Sequence, residues 1–140
     1  MIHHAGLIAA FVGGGWRGVL IQGPSGSGTS DLALRCLDQG FSLVADDRVE
    51  LWTSGGRLYG RAPEALAGRL EVRGLDVLPE PALPWRRVSL CVRAGTPDRI
   101  PEPAFTDDFG LRIPLLTLAL LESSAPAKLT RALRHLGDSR

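Results

Sequence analysis

From Gly23 to Ser30 the chain reads Gly23-Pro-Ser-Gly-Ser-Gly-Thr-Ser30, and shortly after the next helical pattern it reads Asp46-Asp47. Closely spaced glycines let backbone N–H groups converge on a phosphate, and a hydroxyl after the last glycine can hold magnesium. Gly23, Ser25, Gly26, Ser27, Gly28, Thr29 and Ser30 are thus candidates to bind the phosphates of a nucleotide, with Ser30 also on the metal. Asp46 and Asp47 are placed to reach that metal or to accept a proton from an attacking hydroxyl. One position departs from the G-x-x-x-x-G-K-[ST] pattern: the lysine is replaced by Thr29. Fifteen of the sixteen basic residues are arginine, and the one lysine, Lys128, lies far from the loop in sequence.

Such a loop works only between a strand and a helix. The apolar stretch from Trp16 to Ile21 reads as the entering strand, joined by a turn at Gly13-Gly-Gly15 to an earlier strand over Ala5 to Val12. From Thr29 to Gln39, Leu32, Ala33, Cys36 and Leu37 recur at helical spacing, Asp31 sits in the first turn four residues before Arg35, and Gly40 is placed to end the helix. Phe41 to Ala45 reads as the strand that delivers the two aspartates.

Further strands are expected over Arg48 to Thr53, Arg57 to Gly60 and Arg87 to Val92, with a single helical turn or loop at Pro63 to Gly68. Leu70 to Leu78 alternates as one strand interrupted at Gly74, and Thr96 to Asp108 reads as a proline-rich loop. Leu111 to Leu121 is expected to split around Pro114 into a short strand and a turn of helix. A last helix starts near Ser124-Ala-Pro126, with Leu129, Ala132, Leu133 and Leu136 on one face.

With 140 residues and 44% hydrophobic composition, the chain reads as one domain over residues 1–140, with no linker long enough to divide it. A formal net charge of +1 gives no general reason to expect nucleic acid or an anionic membrane. There is no apolar run of eighteen residues and no secretory leader pattern, so a cytoplasmic location is expected. Cys36 and Cys91 sit within apolar patterns rather than at metal-ligand spacing, as buried free thiols do.

Gly23-Pro-Ser-Gly-Ser-Gly28 with Ser30, then Ala33-Leu34, Gly40 to Leu51, Ala62-Pro63 and Leu70-Glu-Val-Arg-Gly74 together resemble the C-terminal catalytic domain of bacterial HPr kinase/phosphorylase, in its short proteobacterial form. The resemblance implies an α/β fold, a P-loop-containing mixed sheet with a phosphate-binding helix. It implies a kinase that uses ATP and Mg²⁺ to phosphorylate a serine of a phosphocarrier protein, reverses that reaction with inorganic phosphate, and forms a homo-oligomer, often a hexamer. By position it aligns His4, with His3 as the other choice, to an active-site histidine, Asp46 and Asp47 to catalytic aspartates, and Arg73 to the arginine of a signature strand. Glu71 aligns with an acidic residue near the magnesium, so that Ser30, Asp47 and Glu71 form the implied metal set. Two other readings stand beside it: a nucleotide- or phosphate-sensing module without turnover, which rests on Thr29, and a P-loop kinase with a small-molecule acceptor.

Overall fold

The computed structural model describes residues 1–135; Leu136, expected on the last helix, lies outside the described residues. Strands β1 (Ile2–His4), β2 (Gly6–Val12) and β3 (Gly15–Gln22) lead to helix α1 (Thr29–Leu37). β4 (Ser42–Ala45), β5 (Arg48–Ser54), β6 (Arg57–Arg61), a 3-10 turn at Glu64–Leu66, β7 (Arg69–Val72) and β8 (Asp76–Pro79) follow. The chain continues through β9 (Arg86–Ala94), β10 (Ala104–Thr106) and β11 (Ile113–Leu118) to α2 (Ala125–His135).

Nine of these strands form one mixed sheet in the order β1-β5-β6-β9-β3-β2-β4, with β11 also on β9 and β10 on β11. β9 is the hub. It runs parallel to β3 on one edge, and on the other it pairs antiparallel with β6 at its start and parallel with β11 at its end. A strand covered on both faces is apolar on both, and Leu90 and Val92 are buried in one cluster, Val88 and Cys91 in the other.

Side chains alternate between the two faces of a strand, which divides the core in two. Ile8, Val19 and Ile21 pack with Leu32, Cys36, Leu129 and Leu133 under the helices. Their neighbours Leu7 and Leu20 pack on the opposite face with Val44, Val49, Leu58 and Cys91. Helix α1 presents Leu32, Ala33 and Cys36 to the first cluster and ends at Leu37, where Gly40 takes the left-handed φ of 93° that its position requires. Arg17 spans to the far side of that core, where its guanidinium donates to the Leu133 carbonyl at 3.0 Å and ties β3 to α2.

Four expectations change. His3 and His4 do not precede the first strand but lie in β1, which pairs antiparallel with β5. The stretch from Leu70 to Leu78 is a two-stranded hairpin, β7 against β8, because Gly74 at φ 89° turns the chain back rather than breaking one strand. Pro114 sits inside β11 and splits nothing: pairing with β9 begins only at Leu115, so the missing N–H costs no bond on that edge. Within the expected loop, Ala104–Thr106 pairs with β11, held where Arg93 donates to Thr106 and Asp108 at 3.2 and 2.5 Å.

Candidate functional site

β3 ends at Gln22 and α1 begins at Thr29, so the chain between them must turn sharply with its backbone exposed. Pro24 accepts from the N–H of Ser27 at 3.0 Å, and Gly26 and Gly28 adopt φ of 83° and 101°. Gly28 is doubly constrained. A Cβ there would lie 2.6 Å from Leu121, in a backbone conformation that side chains disfavour. Gly28 is also the N-cap of α1 and has no side chain to satisfy the first-turn N–H groups, so the positive end of the helix dipole faces outward.

That helix end opens into a cavity of about 340 Å³ lined by Ser25, Gly26, Gly28, Thr29, Ser30 and Asp31 on one side. His4, Asp47, Glu71 and Arg73 line the other, with Leu34 and Leu121 at the rim. Residues from β1, the β4–β5 turn, the β7–β8 hairpin and α1 thus meet at one place. Among the lining residues, Arg73 alone is an arginine or lysine.

The two aspartates separate by environment. Asp46 is 8% exposed; its Oδ1 accepts from the Ser30 hydroxyl at 3.2 Å and its Oδ2 from the Glu71 N–H at 2.9 Å. Burial pushes its carboxyl above the ordinary value of 3.8, against the two hydrogen bonds, which pull it down. Asp47 is about half exposed and pairs with His4 Nε2 at 2.9 Å, with Arg48 at 3.6 Å on its second oxygen. It occupies the tightest turn of the site: the Arg48 N–H reaches back to the Asp46 carbonyl at 2.7 Å, and Asp47 takes φ 68°, a conformation that asparagine and aspartate tolerate best.

β1 makes the His4–Asp47 pair possible. Its register sets His4 opposite Arg48 and His3 opposite Val49, and adjacent strand residues face opposite ways. His3 turns to the Phe109 ring at 5.3 Å, away from the cavity. Gly23 and Ser27 lie on the underside of the loop, where a Cβ on Gly23 would meet the Ser27 hydroxyl at 2.3 Å. Neither lines the cavity, and Asp46 stands behind Ser30.

Reading the sequence missed the contribution of Leu121 and its support. Arg35 pairs with Asp31 at 2.8 Å as its spacing suggests, but it also donates to the carbonyls of Glu122, at 2.9 Å, and Leu120. That clamp carries Leu121 over Gly28. No local pattern announces a contact 85 residues away.

Among the described residues, no three His, Cys, Asp or Glu side chains gather closely enough to hold a metal alone. The oxygens of Ser30, Asp47 and Glu71 fit magnesium, which takes few protein ligands and completes its shell with phosphates and water.

Residues 3–80 match the family model described as HPr Serine kinase C-terminal domain. The chain belongs to this family. Among curated proteins, it is similar to the HPr kinase/phosphorylase of Clostridium tetani, 46% identical over 66 residues that cover 47% of this chain and 22% of that protein. It is also similar to those of Brevibacillus brevis and Bordetella pertussis, 50% and 53% identical over 62 residues, each covering 44% of this chain and 20% of the relative. The matched region thus spans about a fifth of the length of these curated relatives. A solved structure, the Hpr(Ser) kinase/phosphatase from Coxiella burnetii, shares the fold with a TM-score of 0.80 over 97% of this chain and 95% of that one, at 21% identity. The α/β fold with its mixed sheet is that of the HPr kinase family.

Proposed function

We propose that this member of the HPr kinase family transfers the γ-phosphoryl group of ATP, with Mg²⁺, to a serine hydroxyl of a phosphocarrier protein, and runs the reverse reaction with inorganic phosphate. One observation carries this reading: the uncapped N-terminus of α1 and the His4–Asp47 pair face each other across a single cavity. The N–H groups of Ser25, Gly26, Gly28, Thr29 and Ser30 would cradle phosphate oxygens. Ser30, Asp47 and Glu71 would hold magnesium, which would neutralise charge on the phosphates.

In the forward direction the Asp47 carboxylate takes the proton from the serine hydroxyl while that oxygen attacks phosphorus and ADP leaves. His4 fixes the Asp47 carboxylate by donating from Nε2. Buried Asp46 holds the Ser30 hydroxyl and, through the Glu71 N–H, the start of the hairpin. With inorganic phosphate, a phosphate oxygen attacks the phosphoseryl phosphorus, the bond from phosphorus to the serine oxygen breaks, Asp47 gives its proton to that oxygen, and pyrophosphate leaves. Arg73 supplies the positive charge that Thr29 lacks. The chain acts as a homo-oligomer in the cytoplasm.

The test is transfer of labelled γ-phosphate from ATP to the organism's phosphocarrier protein by four forms: native, Thr29→Lys, Arg73→Ala and the double variant. One electrostatic contact to the transferring group is worth about 100- to 1000-fold in rate. Thr29→Lys should therefore raise transfer at least about tenfold. Arg73→Ala should abolish it in the native background and cost less in the Thr29→Lys background. Nucleotide binding without transfer in every form would overturn the kinase reading in favour of a phosphate-sensing module.

A further inference from the structure

All three tryptophans and the one tyrosine of the chain lie outside both core clusters in one connected strip of ring and guanidinium contacts, which passes from Trp52 and Tyr59, on the face opposite Leu51 and Leu58, over the start of β9 to Trp16 and Phe11 on the other face. Phe11 of β2 meets Trp16 of β3 edge-on at 5.6 Å; Arg86 of β9 lies over Trp16 at 4.8 Å and over Trp85 at 5.8 Å. Trp85 meets Tyr59 of β6 at 5.7 Å, Tyr59 stacks on Trp52 of β5 at 5.8 Å, and Arg61 covers Trp52 at 5.2 Å. The strip follows the strand order β2-β3-β9-β6-β5.

Large rings are ordinarily spent on a core. Here Phe11 is 62% exposed and Trp85 48%, while Trp16 is also exposed. The rings are held rigid by one another and by guanidinium groups, so little side-chain freedom is left to lose on association. Tryptophan, tyrosine and arginine are also the residues that anchor protein interfaces. Charge is uneven too: beyond the Arg61–Glu50 pair at 3.2 Å, β6 and the start of β9 carry Arg57, Arg86 and Arg87, in a chain of formal net charge +1.

We infer that this strip is a docking surface for an acidic protein partner, separate from the P-loop cavity, with which it shares no lining residue. Complementary charge selects an acidic face. A nucleic acid fits less well, because base stacking needs open ring faces. Trp52 already carries both Tyr59 and Arg61, and Arg86 covers one face each of Trp16 and Trp85.

Because every tryptophan lies in the strip, intrinsic fluorescence reports its occupancy directly. The probe is a glutamate–tyrosine copolymer, titrated into the native chain, into an Arg57→Glu/Arg61→Glu double variant, and into an Arg99→Glu/Arg131→Glu double variant of equal charge. Arg57, Arg61, Arg99 and Arg131 are all exposed, so neither variant disturbs the core. The copolymer should change the tryptophan emission of the native chain and of the Arg99→Glu/Arg131→Glu form alike. It should bind the Arg57→Glu/Arg61→Glu form at least about tenfold more weakly, a difference of about 1.4 kcal/mol. Equal weakening in both variants would reduce the effect to net charge and overturn the proposal. Strip-dependent binding of oligouridylate, or self-association lost only in the Arg57→Glu/Arg61→Glu form, would overturn it in favour of a nucleic acid or a second copy.

Discussion

Asp46 and Asp47 are chemically identical and adjacent, yet a buried carboxylate with two donors and a half-exposed one beside a histidine are different instruments. Burial raises the Asp46 carboxyl above 3.8. The folded state therefore binds a proton more readily there than the unfolded chain does, and this group's contribution to stability falls as pH rises from about 3.8 through the raised folded value. In Asp46→Asn the new side chain keeps both contacts, its oxygen accepting from the Glu71 N–H and its amide donating to the Ser30 hydroxyl, without a charge to desolvate. Thermal denaturation across pH should show Asp46→Asn at least as stable as the native chain at neutral pH, with its relative advantage shrinking as pH falls through the raised folded value of Asp46 toward about 3.8 and constant below that. Phosphoryl transfer should fall by about 100-fold in the same variant, because the carboxylate beside Ser30 is gone.

Among the elements, the parallel pair β3–β9 carries the greatest burden, since it supports the P-loop from below and joins the two halves of the sheet. The register shifts between Gly18 and Val19, and the strands come so close that a Cβ on Gly18 would stand 2.3 Å from the Arg87 carbonyl oxygen. That neighbour is backbone and cannot rotate away. Gly18→Ala should destabilise the fold by about 1 to 3 kcal/mol through forced displacement of a packed strand. A lowered urea midpoint with an unchanged slope would show it. The β7–β8 hairpin has a different task, which is to bring Glu71 and Arg73 to the cavity while Leu70 anchors it in the core.

Across the whole molecule, one sheet separates two apolar clusters, and the two cysteines belong to different ones, Cys36 under the helices and Cys91 on the opposite face. Both are free and buried, and burial pushes each thiol up to about 12. Thiolate, the reactive form, is therefore scarce at neutral pH in the folded chain. Iodoacetamide at about pH 8, near the ordinary thiol value, should leave both unmodified in the native state, and labelling should follow the global unfolding transition in urea. No described helix is long and apolar enough to cross a membrane.

Short-range patterns carried much of this architecture. The glycine loop, the span of α1, the Asp31–Arg35 pair and the strand ending in Asp46-Asp47 were legible because each depends on residues a few positions apart. The family signature in Leu70 to Gly74 was legible for the same reason, although the hairpin it forms was not. The assignment of His4 rather than His3 to the cavity needed the register of β1 on β5, a pairing between distant segments that no local periodicity encodes. The same holds for the strand at Ala104–Thr106, for Pro114 within β11, and for Leu121 over Gly28. The unequal fates of Asp46 and Asp47 are tertiary too. Burial and partner geometry shift an ionisation and aim a carboxylate, and both arise only when distant segments close around the residue.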